Sequence, residues 1–298
     1  MPRIIDNPDT GSASLEEIVE ALGNGFDPRD EESTRAAAAH LGRLGRNDHF
    51  LGDLLIEQMK DLSRTDGDAG GYGPQAIVLS PVLGTAFLRA NIWPSEDEPC
   101  FAASGARTFV YGIPHDHNFD FLTVGYFGPG YRSDYFEYDY ESVAGIKGER
   151  ADLRFVERSA LSTGRLMHYR AHRDIHSQLP PEATSVSLNI MHIGAGQGWL
   201  DQYGFDLDSN VVTGTLNPTS TEVFLRCAIG MGGDDALALA EDFGRHHPSD
   251  RLRLATFEAR EGLLPDAKDR DALWRMAELS GSRLLAGEAT ARRERLAA

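Results

Sequence analysis

Two histidines flank a single aspartate at His115-Asp116-His117, within Gly112-Ile113-Pro114-His115-Asp116-His117-Asn118-Phe119-Asp120-Phe121. Successive side chains of an extended strand alternate between its faces, so His115 and His117 point the same way and both imidazoles reach one metal ion. A second histidine-rich run spans His168 to His176. If that run is extended, His172, Asp174 and His176 share a face, and two strands then supply three imidazoles. Three neutral imidazoles suit iron, zinc, copper or nickel, and a partly open coordination sphere admits a substrate together with dioxygen or water. His176 and His172 compete as third ligand; the other is placed to fix the geometry through a hydrogen bond. Asp120 has two readings, a carboxylate ligand or a strand-end residue making local hydrogen bonds. Asp174 is better suited to orienting a histidine, and His168 to a satisfied interior position.

The elements that would position these groups fall into three stretches. Residues 1–74 read as a helical segment packing on a sheet. Its first helix begins at Ser14, capped reciprocally with Glu17 ahead of Ile18, Val19 and Leu22, and stops at Gly23-Asn24-Gly25. An alanine-rich helix is expected from about Glu31 to Leu44, and another from about Asp48 to Leu62, where Phe50, Leu54, Leu55 and Met59 recur at helical spacing. Ser63 to Pro74 reads as a polar linker. Residues 75–215 change to short β-favouring runs at Ala76–Leu79, Ala86–Trp93, Thr108–Gly112, Phe121–Phe127, Tyr135–Tyr140, Leu153–Glu157, Leu166–Tyr169 and Ser185–His192, punctuated by Gly128-Pro129-Gly130 and Pro180-Pro181. Many short strands at this spacing predict a β-sandwich or small barrel. Residues 216–298 return to helical spacing, with Ala236-Leu239-Ala240-Phe243 and Leu273-Met276-Ala277-Leu284, and a frayed helix from Thr290 to Ala298.

Composition narrows the partners. The 298 residues carry 46 acidic against 29 basic side chains, a net charge of −17, which repels nucleic acid and anionic membrane surfaces alike. Cys100 and Cys227 are far apart in sequence and are the only cysteines, so neither a disulfide framework nor a thiolate zinc site is expected, and a reducing cytoplasm fits best. No signal-peptide or membrane-spanning run is read in the sequence.

The layout resembles the cupin superfamily, whose first motif is a glycine followed by His-x-His, an acidic residue and a second glycine, and whose second motif is a glycine-led turn followed by a third histidine. Here these are Gly112, His115, His117, Asp120 and Gly125 or Gly128, then Gly164 and His176. Within cupins the chain is most similar to the cysteine dioxygenase-like thiol dioxygenases, through His-x-His, the preceding helices and Val186-Ser187-Leu188 beyond the third histidine. The resemblance implies a mainly β fold, a double-stranded β-helix or jelly-roll barrel over 75–215 with helical additions at both ends. It also implies a mononuclear non-haem Fe(II) oxygenase acting with dioxygen on a small carboxylate-bearing substrate, an amino acid or thiol. Zinc, nickel, copper and manganese are the alternative metals. Arg89, upstream of the histidine pair, occupies the place of the family's carboxylate-binding arginine. Asn189 and Met191 stand where the family has a catalytic histidine and tyrosine, so Asn189 is assigned to substrate binding and the aromatic partner is missing.

Tyrosines crowd the first motif; Tyr126 and Asp120 are the candidate catalytic groups. A second reading keeps the metal as a Lewis acid and drops dioxygen, giving a lyase, isomerase or hydrolase. A third is a non-catalytic metal-binding or small-molecule-binding protein. The C-terminal helices either cover one barrel mouth or form a homodimer contact.

Overall fold

Ser14 caps the first helix, α1 (Leu15–Ala21), in the reciprocal arrangement its sequence predicts: its hydroxyl accepts from the Glu17 backbone while the Glu17 carboxylate accepts from the Ser14 backbone. The structure is a computed structural model describing residues 2–23, 25–60 and 75–298. The linker expected at Ser63 to Pro74 lies outside the described residues. A two-residue strand, β1 (Arg3–Ile4), precedes α1; α2 (Glu31–Gly45), capped by Asp30, and α3 (Phe50–Lys60) follow it. Next come β2 (Ala76–Val78), β3 (Ala86–Trp93), α4 (Pro99–Ser104), β4 (Phe121–Phe127), β5 (Arg132–Glu137), β6 (Arg154–Ala160), β7 (Leu166–Tyr169), β8 (Asp174–Leu179) and β9 (Ser185–His192). The chain ends with β10 (Tyr203–Asp206), β11 (Val211–Thr215), α5 (Ser220–Met231), α6 (Asp234–His246), α7 (Asp250–Glu261), α8 (Ala267–Glu278) and α9 (Arg283–Ala297).

These elements divide into two units, one running to Tyr138 and resuming over Leu153–Gln197, the other made of Asp139–Asp152 and Gly198–Ala298. In the first, an antiparallel sheet ordered β1-β7-β4-β9-β3-β2 faces a smaller one ordered β6-β5-β8. The larger sheet carries an apolar cluster on each face. Leu88, Leu122, Val124, Leu188 and Ile190 pack against Ile18, Leu22, Leu41 and Leu44 of the helices. Trp93, Phe121, Met167, Tyr169 and Met191 share a second cluster with Tyr135 of β5 and Tyr131, the residue just before that strand. The result is a helix layer, a sheet and a second sheet, with the aromatic cluster between the sheets.

The second unit groups the β10–β11 hairpin with helices α5 to α9. Its helices bury one cluster around Ile229, Ala240 and Leu252 and another around Phe257, Leu273, Trp274 and Leu285. The C-terminal residues form a regular helix to Ala297 rather than a frayed one. The strand expected at Thr108–Gly112 is instead a 3-10 turn, Ala106–Phe109, closed by Val110 in the left-handed region.

Candidate metal centre

His115 lies outside the regular strands, in an extended loop held against β8 by reciprocal backbone bonds: His115 N donates to His176 O (3.1 Å) and His176 N to His115 O (3.0 Å). This is the hydrogen-bonded pairing of an antiparallel ladder, which sets the two side chains on one face. Their Nε2 atoms approach to 3.2 Å. His115 Nδ1 donates to Ile113 O at 2.7 Å, so the proton sits on Nδ1 and the Nε2 lone pair faces His176. His117 follows two residues on and completes a triangle of rings, with centroid separations of 4.9, 4.6 and 4.9 Å.

The three histidines are 5, 8 and 2% exposed in the order His115, His117, His176, and each offers a ligand atom within 4.8 Å of the others. Burial lowers the pKa of all three below the usual imidazole range, well below it for His117 and His176. They are therefore neutral at pH 7, the form that binds a metal. Nδ1 of His117 and of His176 has no protein hydrogen-bond partner, so each ring keeps a nitrogen that no protein group occupies. One ligand atom from each of three buried, neutral rings, all within 4.8 Å of one another, fits a single divalent transition-metal ion held by three imidazoles.

Asp116, between the two ligands, faces away from them. It is fully buried and accepts the Tyr138 hydroxyl at 2.5 Å, which anchors the loop carrying His115 and His117. Asp174, also fully buried, opens β8 and accepts from Arg170 through its backbone N (2.8 Å) and its guanidinium (2.6 and 3.0 Å). It fixes the start of the strand that presents His176.

The second histidine run is not one extended segment. It is β7, a turn over 170–173, and β8, with His172 in the turn at φ 58°. His172 supports the centre through its backbone, its N–H donating to His117 O at 2.8 Å. Asp120 lies with His168, accepting from its Nε2 at 3.1 Å, and is outside the three-histidine group. Tyr126 packs with the helix-side core and donates to Asn47 O at 2.8 Å. It sits on the opposite face of the sheet from the histidines, because β4 points Leu122, Val124 and Tyr126 toward the helices and Phe121 and Thr123 inward.

Arg89 and Asn189 do share the inner face. They pair across β3 and β9, with Asn189 Nδ2 donating to Arg89 O at 3.3 Å. The half-buried guanidinium is felt electrostatically by His117 and Tyr131. Three phenols line the same interior: Tyr131 and Tyr135, from the tyrosine-rich stretch beside the first motif, where alternate side chains are expected to face inward, and Tyr169, which sequence reasoning did not single out. Tyr131 and Tyr169 share a hydroxyl bond of 3.3 Å, Tyr169 donates to Tyr135 at 3.2 Å, and Tyr135 donates to the Met167 sulfur at 3.9 Å. Burial raises the pKa of each, so all three are neutral hydrogen-bond donors. Tyr169 stacks on Phe121 (4.3 Å) and meets the rings of His176 (5.0 Å) and His117 (5.9 Å) edge-on. These rings pack directly against the histidines.

No family model matches the chain, and no curated protein does. Among solved structures it is similar to a mannose-6-phosphate isomerase candidate from Ralstonia eutropha, at 14% identity over 43% of this chain and 94% of that one, with a TM-score of 0.23. It is also similar to hydroquinone 1,2-dioxygenase from Sphingomonas, at 11% identity over 45% and 74% of the two chains, TM-score 0.26. A prolyl 4-hydroxylase from Phytophthora capsici aligns at 12% identity over 95% and 83%, TM-score 0.24. Likeness at this level carries no argument, so the functional case rests on the chain's own residues. Among the described residues no helix is long and apolar enough to cross a membrane.

Proposed function

We propose that this chain is a cupin-type mononuclear metalloenzyme in which His115, His117 and His176 hold Fe(II), and that it oxidises a small carboxylate-bearing substrate with dioxygen. The observation that carries this reading is the buried triangle of neutral imidazoles with His115 and His176 Nε2 atoms 3.2 Å apart. An iron ion there would supply redox chemistry and positions for two further reactants in one coordination sphere. The donor set holds no carboxylate, so the full charge of the ion remains to attract an anionic substrate. Arg89, across the sheet from Asn189, clamps the substrate carboxylate. Phe121 and Tyr169 exclude water from the reacting groups.

The linked phenols favour a second reading, an oxygen-independent lyase, isomerase or hydrolase in which a hydroxyl of this chain gives a proton to the substrate. Anaerobic reconstitution with Fe(II), followed by an oxygen-electrode screen of small thiols, amino acids and hydroxy acids, separates the two. Substrate-dependent oxygen uptake is expected; turnover without uptake would move the assignment to the second reading.

A further inference from the structure

The interior between the two sheets holds more hydrogen-bonding capacity than the metal centre uses. On the inner face of the larger sheet, Arg89, Asn189, Thr123 and Met167 stand in one lateral row, set by the pairings Arg89 with Asn189, Asn189 with Thr123, and Thr123 with Met167. Asn91 stands beside Arg89, two residues along the same strand, opposite Ser187. From the smaller sheet Gln178 projects on the face that carries His176, opposite Ser133.

Several polar groups here are committed. Asn189 donates to Arg89 O, and the Ser187 hydroxyl accepts from Trp93. Three atoms are not: Asn91 Oδ1, Thr123 Oγ1 and Gln178 Oε1 have no hydrogen-bond partner, although their residues are only 8, 1 and 4% exposed. Buried polar atoms are ordinarily paired, and an unpaired one destabilises the fold unless a ligand or water completes it. Apolar residues of the same shape would pack here without that penalty. Three such atoms on the walls that also carry Arg89 and His176 mark the surface a substrate completes.

Their chemistry selects the substrate. Two amide oxygens accept hydrogen bonds and a hydroxyl donates or accepts one, so the complementary group both donates and accepts. A thiol is a weak donor and leaves the amides nearly unpaired. An ammonium would lie beside a divalent ion and Arg89, with Asp116 and Asp174 both committed elsewhere; a neutral hydroxyl meets no such repulsion. We infer that the substrate is a small hydroxylated carboxylate, its acid group on Arg89 and its hydroxyl groups read by Thr123, Asn91 and Gln178, in place of the amino acid or thiol that the family resemblance implies. This rests on the metal-enzyme reading above and narrows its substrate.

Four three-carbon acids that differ in one group make the test: 3-hydroxypropionate, 3-mercaptopropionate, β-alanine and propionate, titrated calorimetrically into Zn(II)-loaded full-length chain whose metal content is measured on the same sample. The hydroxy acid should bind at least about tenfold more tightly than the other three, since a site built to pair a hydroxyl rejects analogues lacking it. Thr123→Val, Asn91→Leu and Gln178→Met each keep shape and remove an unpaired atom. Each should melt no lower than the wild type, and at least one should abolish the preference. Equal or tighter binding of the thiol or amine, no binding of any acid to metal-replete protein, or a preference that survives all three variants overturns the inference while leaving the metal centre standing. Absence of stoichiometric metal overturns the reading beneath it. If a variant fails to fold, the wild-type ranking of the four acids still decides.

Discussion

Tyr138→Phe separates support of the metal loop from general stability. The substitution keeps the ring and deletes only the hydroxyl that donates to Asp116 at 2.5 Å, so packing is nearly conserved. What is lost is a short bond to a fully buried carboxyl group; bonds of that class contribute about 1.5–3 kcal/mol, and the missing donor leaves the oxygen in dry surroundings. A destabilisation of about 2–3 kcal/mol follows, a fall of roughly 4–12 °C in melting temperature at about 2–4 °C per kcal/mol. Because Asp116 separates the two ligands, metal affinity should fall by about 10- to 100-fold, as it does when groups orienting a ligand are removed. The matched control is Tyr126→Phe, which loses the bond to Asn47 O on the helix side of the sheet. It should cost about 1 kcal/mol and leave affinity unchanged. Calorimetric melts and Zn(II) competition against a chelating dye measure both quantities. Wild-type affinity in Tyr138→Phe, or equal loss of affinity in both variants, would refute the reasoning.

Three further outcomes are expected. His176→Ala should lose most bound metal while His172→Ala keeps it, because His172 contributes a backbone N–H and not a ring to the centre; metal analysis of the two purified variants checks this. Gly125→Ala should destabilise the chain by about 2 kcal/mol or more, since its new Cβ falls on the Ser162 carbonyl where β4 passes the 161–163 turn; denaturant unfolding reads the loss. In the second unit, burial holds Asp201 up at about 6 against the pull of Arg251 at 3.3 Å. The folded form then binds more protons than the unfolded chain between the ordinary aspartate value of 3.8 and about 6, so this group's contribution to stability falls as pH rises through that window and is flat above it. Melts across that range should show the decline in the wild type and a shallower one in Asp201→Asn; identical profiles would remove Asp201 as its source.

Local signals were legible where one interaction decided the structure. Ser14 and Glu17 are a short-range pair whose geometry follows from their spacing, and the strands Ala86–Trp93 and Ser185–His192 stand where β-branched and aromatic residues cluster. His115 and His117 converge as their spacing implies, although on an extended loop rather than a strand. Choosing between His172 and His176 required the turn at 170–173, where His172 adopts a positive φ that no pattern announces. Tyr126 was misplaced for a related reason. Strand β4 is buried on both faces, so hydrophobic alternation, the usual guide to side, is absent. The phenol chain and the unpaired atoms of Asn91, Thr123 and Gln178 depend on sheet register between distant segments, which composition does not encode.

The most direct test of the account is metal stoichiometry after anaerobic reconstitution with Fe(II), measured on the wild type and on His115→Ala, His117→Ala and His176→Ala, with circular dichroism confirming that each variant is folded. About one iron per wild-type chain, and little in any of the three variants, is the predicted result. Folded histidine variants that retain the metal, or a wild type that takes up none, would contradict the three-histidine centre and return these residues to the core.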